Sequence, residues 1–300
     1  MSMKVAVLGL GIMGAGMARQ LLEKGFDVAV WNRSPERALA LGDAGARVAA
    51  RPAEAAKGAA CVVSMLSDDD ASRNAWEGID GALAAMAPGA IAIECSTLTL
   101  QRVRELDAAT QAVGVGFLDA PVTGSRAQAE SGQLRFLIGG RNETVAAARP
   151  VLEAMGIELI HLGGVGSGAL LKLANNYLAG VQVASLAEAL TLLTRAGTDV
   201  ERAFEVLGNG APGSPIVKLV GRRMLDQAYD PNFFVPLMAK DLGYAGAAME
   251  DCAISSGLAE AARQRFLEAA RTGFAEKDIA AVIEPILDRS KPSAPIGDET

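Results

Sequence analysis

Lys172 and Asn176 are the pair of residues in this chain best suited to acid–base chemistry on a bound ligand. Both follow a glycine-rich stretch that starts at Gly163, and both stand in a proline-free run that continues to Arg195. Residues four positions apart share one face of a helix, so the ammonium group and the amide would point to the same side. A solvated lysine beside a packing amide is the alternative interpretation, because most lysines are exposed.

Histidine and cysteine chemistry is disfavoured by the composition. The single histidine, His161, stands at the end of a predicted strand. With no second imidazole in the chain, a histidine zinc site or a serine–histidine triad is disfavoured, so another side chain must move any proton. The three cysteines, Cys61, Cys95 and Cys252, have no metal-like spacing and are predicted to be buried thiols of a reducing compartment.

A glycine motif near the N-terminus predicts a dinucleotide site. A strand-like run, Lys4–Leu8, leads into the motif, and a helical pattern follows it. This is the strand–turn–helix context in which Gly-x-Gly-x-x-Gly binds dinucleotides, with phosphates at the helix N-terminus. The first glycine makes the turn, the second admits the pyrophosphate and the third lets helix and strand pack. The predicted cofactor contacts are Gly9, Leu10, Gly11, Ile12, Met13 and Gly14. An ordinary strand–helix turn is the alternative.

The end of the second predicted strand indicates which dinucleotide binds. That strand, Asp27–Trp31, is followed by Asn32, Arg33 and Ser34. An acidic residue here would bind the ribose hydroxyl of NAD, whereas an arginine suits the 2'-phosphate of NADP. Asp27 lies at the wrong end of the strand. The sequence therefore favours NADP, with NAD as the alternative cofactor. The alternative role of Arg33 is that of a surface residue at a helix start.

Strands alternate with helical patterns through the first half, which predicts a Rossmann-type, doubly wound and mostly parallel sheet. The later predicted strands are Cys61–Leu66, Ala90–Cys95, Val115–Ala120, Leu134–Ile138 and Glu158–Leu162. Ligands of such sheets collect beyond the carboxyl ends of the strands.

Three loops leave those carboxyl ends. Met65 and Leu66 would contact an apolar part of the cofactor, and Thr97 and Ser125 offer hydroxyl groups to polar oxygens. In the alternative interpretation, Thr97 only caps the following helix, and Gly124 with Ser125 forms only a turn.

The glycine-rich stretch opens a helix, from about Gly166 onward, that is too long for one compact domain. About 30 residues of helix span roughly 45 Å, so this helix is predicted to join two domains. The second domain reads as all-helical, with Lys240 and Asp241 one turn into a helix, where a surface ion pair is the alternative. The predicted helices there are Val200–Leu207, Pro215–Leu225, Pro236–Asp251, Leu258–Thr272 and Asp278–Arg289. The predicted domain bounds are 1–162, 163–195 for the interdomain helix, 196–289, and 290–300 for a loose tail.

Charge and hydropathy limit the classes of partner. The net charge is -7 and the pI is about 5.0, which argues against nucleic-acid binding. The N-terminus does not resemble a signal peptide, and no stretch reaches membrane-spanning length without charges or glycines. We expect a cytoplasmic protein that binds a small molecule and neither nucleic acid nor membrane.

Four motifs in this order resemble the beta-hydroxyacid dehydrogenase family over residues 3–288. The motifs run Gly9–Gly14, Asp119–Ser125, Gly166–Asn176 and Lys240–Leu242. The resemblance implies an oxidoreductase that interconverts a hydroxyacid and its aldehyde or ketone, with Lys172 as catalytic acid/base, and it places the long helix between two domains. The residues that it implies for substrate contact are Asn176, Gly124, Ser125, Thr97 and Lys240, of which Thr97 and Lys240 would also reach the cofactor. The family is commonly dimeric or tetrameric, so a homo-oligomer is expected.

Two motifs point to different branches of that family. Gly124-Ser125-Arg126 resembles the glyoxylate/succinic semialdehyde reductases, whereas the segment through Lys240 resembles the 3-hydroxyisobutyrate dehydrogenases. We expect NADPH-dependent reduction of a short semialdehyde acid.

Three alternatives to this expectation are disfavoured by the sequence. Imine reductases share the architecture but generally lack a lysine at the position of Lys172. A tyrosine-based short-chain dehydrogenase is disfavoured because Tyr177, Tyr229 and Tyr244 have no lysine four residues on. A non-catalytic NADPH-binding oligomeric scaffold would not need Lys172, Asn176 and Lys240 together.

Overall fold

A computed structural model describes residues 2–288 of the 300-residue chain. The predicted tail at 290–300 lies outside these residues. The chain divides into two compact units between Lys172 and Leu173, within the segment predicted as the interdomain helix.

The first unit is built on one sheet, which has nine strands among the described residues. The strands are β1 (Lys4–Leu8), β2 (Asp27–Trp31), β3 (Arg47–Val48), β4 (Cys61–Ser64), β5 (Ile91–Glu94), β6 (Gly116–Asp119), β7 (Val122–Thr123), β8 (Leu134–Gly140) and β9 (Gly156–Gly163). Their order is β3-β2-β1-β4-β5-β6-β8-β7, with β9 paired to β8. Pairing is parallel from β3 to β6 and between β8 and β9, and antiparallel where β8 meets β6 and β7. The predicted doubly wound, mostly parallel sheet is therefore confirmed.

Helices cover both faces of this sheet. They are α1 (Ile12–Glu23), α2 (Glu36–Asp43), α3 (Pro52–Ala56), α4 (Asp69–Glu77), α5 (Leu100–Ala112), α6 (Arg126–Glu130) and α7 (Asn142–Met155). Val5 and Val7 belong to the core on one face, and Ala6 and Leu8 to the core on the other. A strand buried on both faces is apolar without alternation, which explains the continuous apolar runs. The short strands β3 and β7 and the short helix α6 were not predicted from the sequence.

The long helix α8 (Ser167–Arg195) starts within a residue of its predicted position. It is long and apolar enough to cross a membrane by length and composition. Val183, Ala187 and Leu190 nevertheless lie fully buried in the core of the second unit, as in the core helix of a folded domain.

The second unit is helical, as predicted. Its helices are α9 (Val200–Asn209), α10 (Pro215–Asp226), α11 (Val235–Asp251), α12 (Gly257–Ala269) and α13 (Ile283–Leu287). Two predicted helices differ from this set. The one predicted over Leu258–Thr272 ends its regular part at Ala269, because Gly273 takes a positive φ of 102°. The one predicted from Asp278 is instead a 3-10 turn, Ile279–Val282, followed by α13, and Asp278 caps that turn.

The prediction that all three cysteines are buried is wrong for Cys252. Cys61 and Cys95 are buried, but Cys252 is exposed because it stands in the turn that ends α11. Burial raises the pKa of Cys61 to about 11 and also raises that of Cys95, so both remain thiols at neutral pH and are poor nucleophiles.

Candidate active site

The glycine motif forms the turn between β1 and α1. Gly9 has a positive φ of 93°, and a Cβ there would overlap with the backbone of Met65. A Cβ on Gly14 would overlap with the carbonyl of Gly9. In contrast, nothing lies within 4 Å of a Cβ built on Gly11, the residue that precedes α1. The loop is thus tightly packed at Gly9 and Gly14 but open at Gly11. At this open position, backbone N–H groups at the helix N-terminus can receive a phosphate.

Asn32, Arg33 and Ser34 lie at the carboxyl end of β2, beside this loop. The side chain of Asn32 accepts a hydrogen bond from the N–H of Leu10 at 2.8 Å and donates to the carbonyl of Ser34 at 2.9 Å. Asn32 therefore shapes the glycine loop through its own side chain. Arg33 and Ser34 are exposed, and a second exposed arginine, Arg37, stands in the first turn of α2.

The loops after β4 and β5 are joined by a buried serine. The hydroxyl of Ser96 accepts a hydrogen bond from the N–H of Leu66 at 2.7 Å. Met65, Leu66 and Thr97 are partly exposed beside it. The helix after β5 is capped by Thr99, whose hydroxyl accepts from the N–H of Arg102, so the alternative in which Thr97 is that cap is wrong.

A buried carboxylate supports both of these loops. Glu94 is 1% exposed at the end of β5 and accepts hydrogen bonds from Ser72, Trp76 and the N–H of Ser96. The indole of Trp76 also reaches the hydroxyl of Ser64 at the end of β4. This network fixes the ends of two neighbouring strands, and the sequence reading did not include it.

Gly124 and Ser125 follow β7 and open α6. Gly124 has a positive φ of 125°, and Ser125 is the N-cap of α6. The N–H and the hydroxyl of Ser125 both donate to the Oε1 of Gln128, at 2.9 and 2.5 Å. Ser125 and Gln128 form a capping box at this helix start. Two donors thus converge on one acceptor oxygen.

Helix α6 connects the Gly124–Ser125 loop to α1, the helix that follows the glycine motif. A Cβ on Gly16 of α1 would lie 2.8 Å from the backbone of Ala129, so the two helices touch without intervening side chains. Gln20 of α1 also donates to the carbonyl of Glu130 at 2.8 Å. The loop at Ser125 and the glycine motif are therefore held to the same helix, α1.

Lys172 lies in the second turn of α8, and the N-terminus of that helix is attached to the end of β6. Asp119, the last residue of β6, accepts hydrogen bonds from the N–H of Gly166 and the N–H of Ala169, each at 2.8 Å. Asp119 is 1% exposed. Burial raises its pKa to about 6, although the hydrogen bonds from Gly166 and Ala169 oppose the rise.

In the second unit, Asn176 and Lys240 are brought together by Asp241. The carboxylate of Asp241 accepts from Nδ2 of Asn176 at 2.6 Å and lies 2.8 Å from Nζ of Lys240. Asp241 is 2% exposed and Asn176 4%. The alternative of a surface ion pair at Lys240 is wrong, since the side chain of Lys240 is only 16% exposed. Lys240 also lies over the ring of Tyr244, 4.6 Å from its centre.

The sequence places Asp119 and Asp241 within motifs but predicts no role for either carboxylate. Asp119 is 47 residues from Gly166, and Asp241 is 65 residues from Asn176, so no local pattern shows either contact. The described residues hold no group of three or more histidine, cysteine, aspartate or glutamate side chains that could bind a metal ion.

Both units match models of known protein families. Residues 4–163 match the family model described as the NAD-binding domain of 6-phosphogluconate dehydrogenase. Residues 166–286 match the model described as NAD-binding of NADP-dependent 3-hydroxyisobutyrate dehydrogenase. These ranges include every cofactor and substrate residue predicted from the sequence.

Individual relatives match over nearly the whole chain. An NAD-dependent L-serine dehydrogenase of Pseudomonas aeruginosa is 34% identical, over 95% of this chain and 98% of that protein. Glyoxylate/succinic semialdehyde reductase 1 of Arabidopsis thaliana is 34% identical, over 95% and 98%. The structure of 3-hydroxyisobutyrate dehydrogenase of Mycobacterium tuberculosis with L-serine has a TM-score of 0.85 and 31% identity, over 95% and 99%. A nicotinamide dinucleotide is thus the cofactor, and the chain belongs to the beta-hydroxyacid dehydrogenase family of NAD(P)-dependent oxidoreductases.

Proposed function

We propose that this protein is an NADPH-dependent reductase of short semialdehyde acids in which Lys172 donates the proton. The position of Lys172 within the first unit supports this proposal most directly. The helix that bears it starts at the carboxyl end of β6, the sheet edge at which the glycine motif follows β1. Ligands of doubly wound sheets bind at that edge.

The chemistry needed at Lys172 follows from the reaction. The bound cofactor supplies a hydride to the carbonyl carbon, and the carbonyl oxygen gains negative charge. An ammonium group beside that oxygen stabilises the charge and delivers the proton. In the direction of oxidation, the neutral amine of Lys172 accepts the proton from the hydroxyl group.

The Gly124–Ser125 loop is proposed to bind the carboxylate of the substrate. Its N–H and hydroxyl donors converge on Gln128 Oε1, which is a carbonyl oxygen in the position that a carboxylate oxygen would take. Hydrogen bonds to a charged acceptor are shorter and stronger than those to a neutral amide, so a substrate carboxylate can replace Gln128. Asn176 and Lys240, both held by Asp241, are proposed as the further substrate contacts.

NADP is proposed as the preferred cofactor. Arg33 and Arg37 are both exposed within six residues of the end of β2, and the residue directly after the strand is Asn32 rather than an acidic residue that would receive a ribose hydroxyl. Two guanidinium groups can pair with a 2'-phosphate. The relative from Pseudomonas aeruginosa is named NAD-dependent, so the preference needs its own measurement.

The substrate is tested by following NADPH absorbance with glyoxylate, succinic semialdehyde, methylmalonate semialdehyde and tartronate semialdehyde. NADH is run in parallel, and L-serine with NADP in the reverse direction is added because two relatives are named with it. Fast oxidation of NADPH by one semialdehyde is the expected result. Flat traces with every compound, together with tight NADPH binding, would favour an imine reductase or a non-catalytic scaffold.

The role of Lys172 is tested in the same assay. Lys172→Ala is expected to lower kcat by at least about 100-fold, the lower range of general acid catalysis, with the Kd of NADPH within twofold of wild type. Lys57→Ala, which changes an exposed lysine at the end of α3, is the matched control. A Lys172→Ala enzyme with near wild-type turnover would refute the role.

A further inference from the structure

We propose that Asp119 is the positioning residue of the active site: its carboxylate fixes the first turn of α8 and thereby holds the Lys172 ammonium in place for proton transfer. This inference rests on the proposed function, because it assigns a task to a residue that acts through Lys172.

The contact replaces an ordinary helix cap. The first N–H groups of a helix have no partner within the helix, and a neighbouring side chain usually accepts from them. At the start of α8 the acceptors are instead the two carboxylate oxygens of Asp119 in β6. They accept from Gly166 and Ala169, which stand 47 and 50 residues later in the chain. The helix start is therefore tied to the sheet itself.

Two glycines make this attachment close and rigid. A Cβ on Gly139 of β8 would overlap with a carboxylate oxygen of Asp119, and it would lie 2.7 Å from the carbonyl of Gly164. A Cβ on Gly168 would overlap with the carbonyl of Leu137 and lie 2.9 Å from that of Asp119. Without side chains at these positions, the first turn of α8 lies directly on the end of β6 and on β8.

The attachment acts on Lys172 through the helix. Lys172 stands four residues after Gly168, one turn further along the same face. A shift or rotation of the first turn therefore moves Lys172 by a similar amount. A displacement of about 1 Å at a catalytic group can lower a rate about 100-fold.

The neighbouring carboxylate on β5 has a different task. Glu94 pairs with Asp119 in the strand register, yet its oxygens accept from Ser72, Trp76 and Ser96. Glu94 therefore supports the loops after β4 and β5. Of these two carboxylates, only Asp119 accepts hydrogen bonds from the start of α8.

The test is Asp119→Asn, measured as single-turnover oxidation of NADPH with enzyme in excess. The amide has the size of the carboxylate but turns an N–H donor toward one of the two backbone donors. We expect the rate of hydride transfer to fall about 10- to 100-fold, while the Kd of NADPH stays within twofold. Asp199→Asn, which changes an exposed aspartate that caps α9, is the matched control and is expected to leave the rate unchanged.

A double-mutant cycle separates positioning from a general loss of structure. In a Lys172→Ala background, Asp119→Asn is expected to cause no further loss of rate. A wild-type rate in Asp119→Asn, or a full additional loss on top of Lys172→Ala, would overturn the proposal.

If Asp119→Asn does not fold, Asp119→Ala, which fits the same space, is measured instead, and a wild-type rate there would overturn the proposal equally. A Lys172→Ala enzyme with normal turnover would instead refute the proposed function, so the two failures are distinguishable.

Discussion

At the scale of single residues, we propose that Arg33 discriminates between two cofactors that differ by one phosphate. Arg33→Ala is expected to raise the Kd of NADPH about 10- to 100-fold, the range of a hydrogen bond to a charged group, and to change the Kd of NADH less than threefold. Titration of protein fluorescence with each cofactor measures both constants. Arg149→Ala, an exposed arginine of α7, is the control. Equal losses for both cofactors would contradict the assignment to the 2'-phosphate.

Asp119 links the site to the pH dependence of stability. Its pKa in the folded protein is about 6, against 3.8 for an ordinary aspartate. Between these pH values the folded state binds more protons than the unfolded state, so the free energy of unfolding falls as pH rises through this window. The decrease attributable to this one group is on the order of 3 kcal/mol. The ionised carboxylate of Asp119 therefore lowers the free energy of unfolding, as groups at functional sites can do.

The measurement is urea unfolding of wild type and Asp119→Asn at pH 4, 5, 6 and 7. Both tryptophans, Trp31 and Trp76, lie in the first unit, so their fluorescence reports on the unit that contains Asp119. The free energy of unfolding of wild type minus that of the variant is expected to decrease from pH 4 to pH 7. A difference that does not change with pH would show that Asp119 titrates at an ordinary pKa.

At the scale of helices and strands, the sequence could predict features set by local patterns but not contacts between residues far apart in the chain. The turn from β1 to α1 and the start of α8 follow from local glycine and apolar patterns, and both were predicted within a residue. The cap of α6 was also readable, because Ser125 and Gln128 have the spacing of a capping box. The two residues of β3 are too few to show a period. The contacts of Asp119 and Asp241 form only when distant segments pack, and no local signal marks them.

Asp241 connects helices α8 and α11 inside the second unit, and its loss should affect both. Asp241→Asn would leave Lys240 without its carboxylate and would face the amide of Asn176 with a second donor. Removing one partner of a buried charged pair costs about 3–5 kcal/mol. We therefore expect a lower melting temperature, and at least a tenfold rise in the KM for the substrate, with little change in the Kd of NADPH.

Asp251→Asn provides the matched control for this prediction. Asp251 is the last residue of the same helix and is exposed, so its substitution is expected to change neither quantity. Scanning fluorimetry and substrate titrations at saturating NADPH measure them. An Asp241→Asn enzyme with wild-type KM would contradict the proposal that Asp241 holds Asn176 and Lys240 for substrate binding.

At the scale of the whole molecule, we propose that the protein is a homodimer or homotetramer, as the family resemblance implies. Leu178 and Leu192 of α8 are 58% and 69% exposed. They are 14 residues apart, which places them on nearly the same side of a helix. Leucines that stay exposed on one side of an apolar helix are suited to burial against a second copy.

Leu192→Glu should therefore shift the mass measured by size-exclusion chromatography with light scattering from the oligomer toward the 30.9 kDa monomer. A charge buried in an apolar interface without a partner is strongly unfavourable, and burial of two such charges doubles the effect in a symmetric dimer. Val206→Glu, at an exposed apolar residue of α9, tests whether the effect is specific to α8. If wild type already elutes as a monomer, the oligomer proposal fails. If Leu192→Glu keeps the wild-type mass, the interface lies elsewhere than on this side of α8.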